Sequence, residues 1–247
     1  VSKLYLVTGA SSGIGLAVCQ HLLMEGHRVI GVARSEKSDV KGLLERYPNA
    51  FFFYSRDLTK QIDGIPKWMK ELATTYGSFS GVVCAAGLSK VMPNRFNTYE
   101  QMLEVFNLNL FSSLAVARGM TQRKVVNKDG ASIIFIASVA ATIGTSGLVN
   151  YGASKAGLIG AVKSLAKEFA PMLIRVNSIS PGLIKTDLTQ SIYDPDYFEK
   201  LEKLYPLGLG NVNYVADSAL FLLSDKAKWI TGIDMVVDGG VSLGSNE

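Results

Sequence analysis

Tyr151 and Lys155 stand four residues apart, so on a helix they share one face. A phenol is a poor acid at neutral pH, with a reference pKa of about 10. An ammonium one helical turn away stabilises the phenolate and brings the group into the range of a general acid. Far upstream, Thr8-Gly9-Ala10-Ser11-Ser12-Gly13-Ile14-Gly15 has the composition of a turn that admits a pyrophosphate. Gly9 allows a tight turn, Gly13 a close backbone approach to phosphate, and Gly15 packing of a helix on a sheet. Its spacing is Gly-x-x-x-Gly-x-Gly rather than the commoner Gly-x-Gly-x-x-Gly. A tyrosine–lysine pair or a glycine turn alone says little. Together they point to nucleotide-dependent redox chemistry on a carbonyl or an alcohol.

Such groups must be carried by a sheet. Short apolar runs at Leu4–Val7, Arg28–Val32, Phe51–Tyr54, Gly81–Ala85, Ser132–Ala137, Ile174–Ile179 and Asp234–Val237 read as seven strands. Helical spacing fills the intervals: Gly13–Glu25, Val40–Tyr47, Ile62–Tyr76, Tyr99–Val126, Tyr151–Phe169 and Tyr214–Ser224. Continuous apolar strands alternating with helices predict an α/β fold, a parallel seven-stranded sheet covered on both faces in the doubly wound Rossmann arrangement. Residues 1–247 then form a single nucleotide-binding domain. Ser138 falls at the C-terminal end of the fifth strand and Tyr151 opens the next helix, so both should face the crevice of the glycine turn.

The end of the second strand selects the nucleotide. A fold of this type that takes NAD usually places a carboxylate there for the ribose 2′-hydroxyl. Here Ala33 occupies that position and Arg34 follows it. A carboxylate would repel a 2′-phosphate, whereas a guanidinium binds it as a fork, and Lys37 adds a point charge. The expected cofactor is NADP(H). Past the third strand, Asp57 and Leu58 either meet the adenine or, for the carboxylate, cap a helix.

The chain has 25 basic and 21 acidic residues, net charge +4, with the basic residues scattered, which does not suggest nucleic-acid binding. Its 48% hydrophobic and 19% charged content is that of an ordinary globular protein. Cys19 and Cys84 lie in apolar surroundings and read as small core residues in a reducing compartment. No apolar run approaches the ~20 residues of a membrane span, and no leader precedes the first strand. The expectation is a cytoplasmic protein with neither a membrane association nor a metal.

Over essentially its whole length the chain resembles the classical short-chain dehydrogenase/reductases, and most of all their 3-oxoacyl-[acyl-carrier-protein] reductase branch. The resemblance is carried by the glycine turn, Asn107-Leu108-Asn109, Ser138, Tyr151-Gly152-Ala153-Ser154-Lys155-Ala156-Gly157 and Arg175-Val176-Asn177. It continues through Ser180-Pro181-Gly182-Leu183-Ile184-Lys185-Thr186 and Ile230-Thr231-Gly232 to Asp238-Gly239-Gly240. It implies that Tyr151 protonates the carbonyl oxygen and that Ser138 hydrogen-bonds it. Lys155 would lower the tyrosine pKa and bind the nicotinamide ribose. Asn109 would interrupt its helix and hold a water leading to Lys155. Gly9, Ser11, Ser12, Gly13, Ile14 and Gly15 would surround the pyrophosphate, Ala85, Ala86 and Gly87 the adenosine ribose, and Pro181, Gly182, Ile184 and Thr186 the nicotinamide. The family usually has Asn-Asn-Ala-Gly where this chain has Cys84-Ala85-Ala86-Gly87, so some bracing of the neighbouring strand is expected to be missing.

Residues Pro181–Pro206 break the alternation at a strand's C-terminal end, where open α/β sheets bind ligands, and about 186–206 read as a substrate lid. Leu188, Ile192, Tyr193, Tyr197, Phe198 and Leu204 give it an apolar, aromatic lining without a charge reader. An acyl-thioester carbonyl suits such a lining, as does a small or sugar-derived ketone or alcohol. An acidic acyl carrier protein would meet Arg123 and Lys124, unless these are a solvated helix end. Apolar residues on more than one face of the Tyr99–Val126 and Tyr151–Phe169 helices suggest a homo-oligomer, a tetramer in the family or a dimer. A nucleotide-binding sensor without chemistry fits less well with intact Asn109, Ser138, Tyr151 and Lys155.

Overall fold

The strands predicted from apolar runs form one seven-stranded sheet in the order β3-β2-β1-β4-β5-β6-β7, parallel throughout. The computed structural model describes residues 2–186, 189 and 195–244. The strands are β1 (Leu4–Thr8), β2 (Arg28–Ala33), β3 (Phe51–Ser55), β4 (Gly81–Cys84), β5 (Ala131–Ile136), β6 (Ile174–Pro181) and β7 (Asp234–Val237). Strand order reverses between β1 and β4. The crevice beyond their C-terminal ends is the place where open α/β sheets bind ligands.

Side chains alternate across the strands and, in the central strands β1, β4 and β5, are buried on both faces. Leu4, Leu6, Ile133 and Phe135 face α3 (Ile65–Tyr76), α5 (Ser112–Met120) and α6 (Val149–Phe169) through Met69, Val116, Leu158 and Val162. Tyr5, Val7, Ile134 and Ile136 face α1 (Gly13–Met24) and α8 (Val212–Leu223) through Val18, Leu22, Val215 and Leu222. Each fully buried aliphatic side chain contributes about 1.5–3 kcal/mol, and the two layers fix the sheet edge that carries the site. Cys19 and Cys84 are free and buried in these layers. No described helix is long and apolar enough to cross a membrane.

Two segments depart from expectation. The predicted Tyr99–Val126 helix is α4 (Tyr99–Phe106), a π-helical turn at Asn107–Phe111, then α5, which ends at Met120. Arg123 and Lys124 therefore lie in a turn, with Lys124 at φ 69, not on a helix. That turn leads to the bridge between Val126 and Phe79, just before β4. It precedes the N-terminal end of β5, whereas the crevice lies at the C-terminal ends of the strands. Residues Ile62–Gly64 form a separate 3-10 turn before α3. Of the lid, α7 (Pro195–Glu202) and the following loop are described. Leu188, Ile192 and Tyr193, and the side chain of Tyr197, lie outside the described residues.

Candidate active site

The glycine turn leaves β1 and enters α1 directly. Gly9 has φ +70, and a Cβ there would lie 2.8 Å from the Ala85 carbonyl, so this chain crossing admits only glycine. A Cβ on Gly15 would collide with the Gly9 carbonyl. Ser12, the N-cap of α1, makes no side-chain cap bond, and no acidic residue occupies the first turn. The orphan amides of the helix start and its positive dipole end are thus left to an external anion. They open on a cavity of about 270 Å³ lined by Gly9, Ser11, Ser12, Gly13, Ile14 and Gly15, by Ala85, Ala86 and Gly87, and by Leu58 and Thr186. These are the predicted nucleotide residues, and the compact glycine-lined cradle fits a dinucleotide's pyrophosphate. Across the crevice, Thr186 comes close to Gly13, whose Cβ would lie 3.5 Å from the threonine methyl.

The strand lacking its usual amides is braced another way. Thr8, 2% exposed, accepts a hydrogen bond from the Ala86 amide at 3.1 Å, tying the end of β1 to the chain leaving β4. Burial pushes the Cys84 thiol up to about 12, so it stays neutral.

At the far end of the cavity, Arg34, Ser35, Lys37, Val32, Ala33 and Arg56 complete the wall. Three cations and no carboxylate line it among the described residues. Asp57 is not in the lining, although its charge acts with that of Arg34. Its Oδ1 accepts from the Thr59 amide at 2.9 Å and hydroxyl at 2.7 Å, which holds its pKa below the usual carboxylate range. Asp57 closes a local turn on Thr59 and caps no helix, since the next helical turn begins at Ile62 with Gln61 as its N-cap, and it is not among the residues lining the cavity.

The reacting groups sit where β5 and β4 end. Ser138 follows β5, and its Oγ accepts from the Ala140 amide at 3.2 Å, leaving its own O–H to donate elsewhere. The 3-10 turn Val139–Ala141 packs so tightly on α6 that a Cβ on Gly152 would lie 2.7 Å from the Ala140 carbonyl. This contact sets the first turn of α6, with Tyr151, beside Ser138. Lys155 is one turn further and only 3% exposed. Its Nζ donates to the Ile136 carbonyl at 2.7 Å and lies 5.7 Å from the centre of the Tyr151 ring. No carboxylate pairs with it among the described residues, and burial lowers its pKa from 10.5 to about 8. It remains charged at neutral pH.

Asn109 is fully buried at the centre of the π turn. Its Nδ2 donates to the Leu88 carbonyl at 2.9 Å and to Ser154 Oγ at 2.9 Å, and its Oδ1 accepts from the Leu88 amide at 2.8 Å. Ser154 in turn donates to the Tyr151 carbonyl at 2.7 Å. Asn109 therefore staples the loop after β4 to the helix of Tyr151 and Lys155. A point at the missing Cβ of Gly87 is 3.5 Å from Lys155 Nζ and 3.6 Å from Asn109 Oδ1, so the ammonium adjoins the cavity wall.

Pro181, Gly182 and Ile184 do not line this cavity. They belong to the segment between β6 and Thr186, which the loop after α7 holds in place. Tyr205 Oη accepts from the Leu183 amide at 2.8 Å, the Gly210 amide donates to the Leu183 carbonyl at 3.2 Å, and Ile184 bridges to Gly210. Sequence reasoning missed Tyr205, Leu108 and Arg56. For Arg56 a signal existed, since it follows β3 as Arg34 follows β2.

A family model described as Enoyl-(Acyl carrier protein) reductase matches residues 9–242. A 3-oxoacyl-[acyl-carrier-protein] reductase of Buchnera aphidicola is 36% identical over 237 residues, 95% of each chain. Carbonyl reductase family member 4 of Xenopus laevis is 34% identical over 244 residues, 98% of this chain and 99% of its own. The ligand-free aldohexose dehydrogenase of Thermoplasma acidophilum superimposes with a TM-score of 0.89 at 27% identity, covering 100% of this chain and 96% of that one. With its sheet order, glycine cradle and Ser138, Tyr151 and Lys155 gathered at one crevice, the chain belongs to the short-chain dehydrogenase/reductase family of oxidoreductases.

Proposed function

We propose that the protein reduces a carbonyl to an alcohol with NADPH, and that the carbonyl is that of a 3-oxoacyl thioester. The observation that carries this reading is Lys155, a buried ammonium without a carboxylate partner among the described residues, beneath Tyr151 and against the cavity wall at Gly87. A cation is held in such a place at a cost, and a neighbouring phenol is the group that benefits. The cofactor, when bound, supplies the hydride.

The protein supplies the proton and the orientation. Tyr151 gives its phenolic proton to the carbonyl oxygen as charge builds there, and Ser138 donates its free O–H to the same oxygen. Lys155 stabilises the phenolate that remains, and its further N–H groups bind the nicotinamide ribose. A water between Lys155 Nζ and Asn109 Oδ1 returns the proton. Ile184 and Thr186 contact the carboxamide, with Pro181 and Gly182 shaping that wall. At the other end, Arg34 and Lys37 favour a 2′-phosphate over a bare hydroxyl.

The substrate class rests on the similarity to 3-oxoacyl-[acyl-carrier-protein] reductases and on the apolar and aromatic residues in the sequence of the lid, of which Phe198 is buried. Likeness over the whole chain to an aldohexose dehydrogenase favours, as a second reading, a sugar-derived alcohol or ketone. A carrier protein, if it delivers the substrate, must bring its thioester to the crevice of Tyr151.

Tyr151→Phe tests the acid. The expected result is a loss of turnover of about 10²–10⁴-fold with the NADPH dissociation constant changed little. A variant that keeps most of its activity would show that another group delivers the proton.

A further inference from the structure

We propose that Arg56 is a specificity-determining residue that grips the phosphate ester on the adenosine ribose together with Arg34. The inference rests on the NADPH reading and adds a second reader to it, on a strand that sequence motifs do not inspect.

Ala33 and Ser55 are paired in the β2–β3 register, and the Arg56 amide donates to the Ala33 carbonyl at 2.8 Å, carrying the pairing one step further. Arg34 and Arg56 thus leave adjacent strands at the same level, and both line the cavity. Ser55 Oγ donates to the Arg34 carbonyl at 2.8 Å and locks the two strand ends together.

A solvated arginine turns its guanidinium to water. Arg56 does not: its Nε is buried without a hydrogen-bond partner. Its guanidinium carbon lies 4.6 Å from the centre of the Trp68 ring, and Trp68 is itself wedged against Tyr54, the ring centres 6.0 Å apart. The plane is therefore held on an aromatic platform at the expense of one unmet donor, which marks a preorganised group. With Nε enclosed, the terminal Nη pair is the edge left for the cavity. Such a fork matches two oxygens of a phosphate monoester. Neither Arg34 nor Arg56 forms a salt bridge or side-chain hydrogen bond among the described residues, and Asp57, whose charge acts with that of Arg34, has its Oδ1 engaged by Thr59. The corner is cationic and rigid on one side, as a dianion site requires.

The test is equilibrium binding by calorimetry, comparing NADPH with NADH and adenosine 2′,5′-bisphosphate with AMP. It would be run on the wild type and on Arg34→Met, Arg56→Met, Arg56→Lys and Trp68→Leu, with thermal melting as a check on folding. Arg56→Met is expected to weaken NADPH and the bisphosphate by about 10- to 100-fold while NADH and AMP bind as before. Arg56→Lys, which keeps the charge and loses the fork, should fall between. Trp68→Leu should weaken the same two ligands by less. If Arg56→Met unfolds the protein, the lysine variant carries the comparison. A loss shared equally by all four ligands, or a loss in Arg34→Met with none at Arg56, would overturn the role of Arg56 alone. A wild type that binds NADPH no better than NADH would overturn the NADPH reading as well.

Discussion

Lys155 shows most plainly how one residue trades stability for chemistry. Its folded pKa of about 8 lies below the 10.5 of an exposed lysine. Below pH 8 both the folded and unfolded chains carry the proton, and the folded one bears the whole cost of burying it. Between 8 and 10.5 the unfolded chain binds a proton that the folded one lacks, so this contribution to stability rises with pH. Lys155→Met should therefore stabilise the cofactor-free protein at pH 7 by roughly 1–3 kcal/mol, the Ile136 carbonyl losing its donor in exchange, and should abolish turnover. Denaturant melts at pH 7 and 10 check this, with the gain shrinking at the higher pH. A Lys155→Met protein that is less stable at pH 7 would mean that the ammonium is not strained by burial. Ser138, Tyr151 and Lys155 were legible in the sequence because local spacing fixes them: two share a helix face and one ends a strand. Arg56 was not, because its position depends on the register of β2 against β3, across the 21 residues between Arg34 and Arg56. Asp57 was ambiguous because a two-residue turn with Thr59 and a ligand contact leave the same trace in sequence.

Among the elements, the seven strands were legible since continuous apolar runs bounded by glycine and polar clusters have few alternatives. The break after Phe106 was not. A π turn adds one residue to a helical turn and leaves the apolar pattern on both sides unbroken. Its effect is local and large, since it turns the Asn109 amide inward to Leu88 and Ser154. The helix that it serves, α6, buries Leu158, Val162, Ala166 and Phe169 on one stripe. Ala153, Ala156 and Gly160 on its outer face are small and exposed, and Tyr99, Phe111 and Val149 nearby expose 68%, 40% and 50% of their surface. We propose that a second copy of the chain covers this face, within a dimer or a tetramer. Light scattering at micromolar concentration should give two or four times the chain mass, and Phe111→Glu should lower it. A monomeric wild type would contradict that reading.

For the molecule as a whole, two apolar layers on either side of one sheet hold the loops at its C-terminal edge, and the chemistry is confined there. Arg123 and Lys124 lie toward the opposite ends of the strands, in a turn that the sequence could not reveal because the end of α5 was hidden in a longer helical pattern. The cavity, the Ser138–Tyr151–Lys155 group and the clasp of Tyr205 on Leu183 all meet the same crevice, so nucleotide and carbonyl can be held together. The most direct test is the rate of NADPH oxidation with a 3-oxoacyl thioester, offered on coenzyme A and on acyl carrier protein. A diketone, a quinone and a keto sugar would be run beside it, and NADH in parallel. Turnover of the thioester is expected with NADPH, with NADH slower by about tenfold or more, the effect of one lost charge-assisted contact. Turnover of the keto sugar alone would move the substrate class and keep the mechanism. No turnover of any carbonyl with either nucleotide would contradict carbonyl reduction itself.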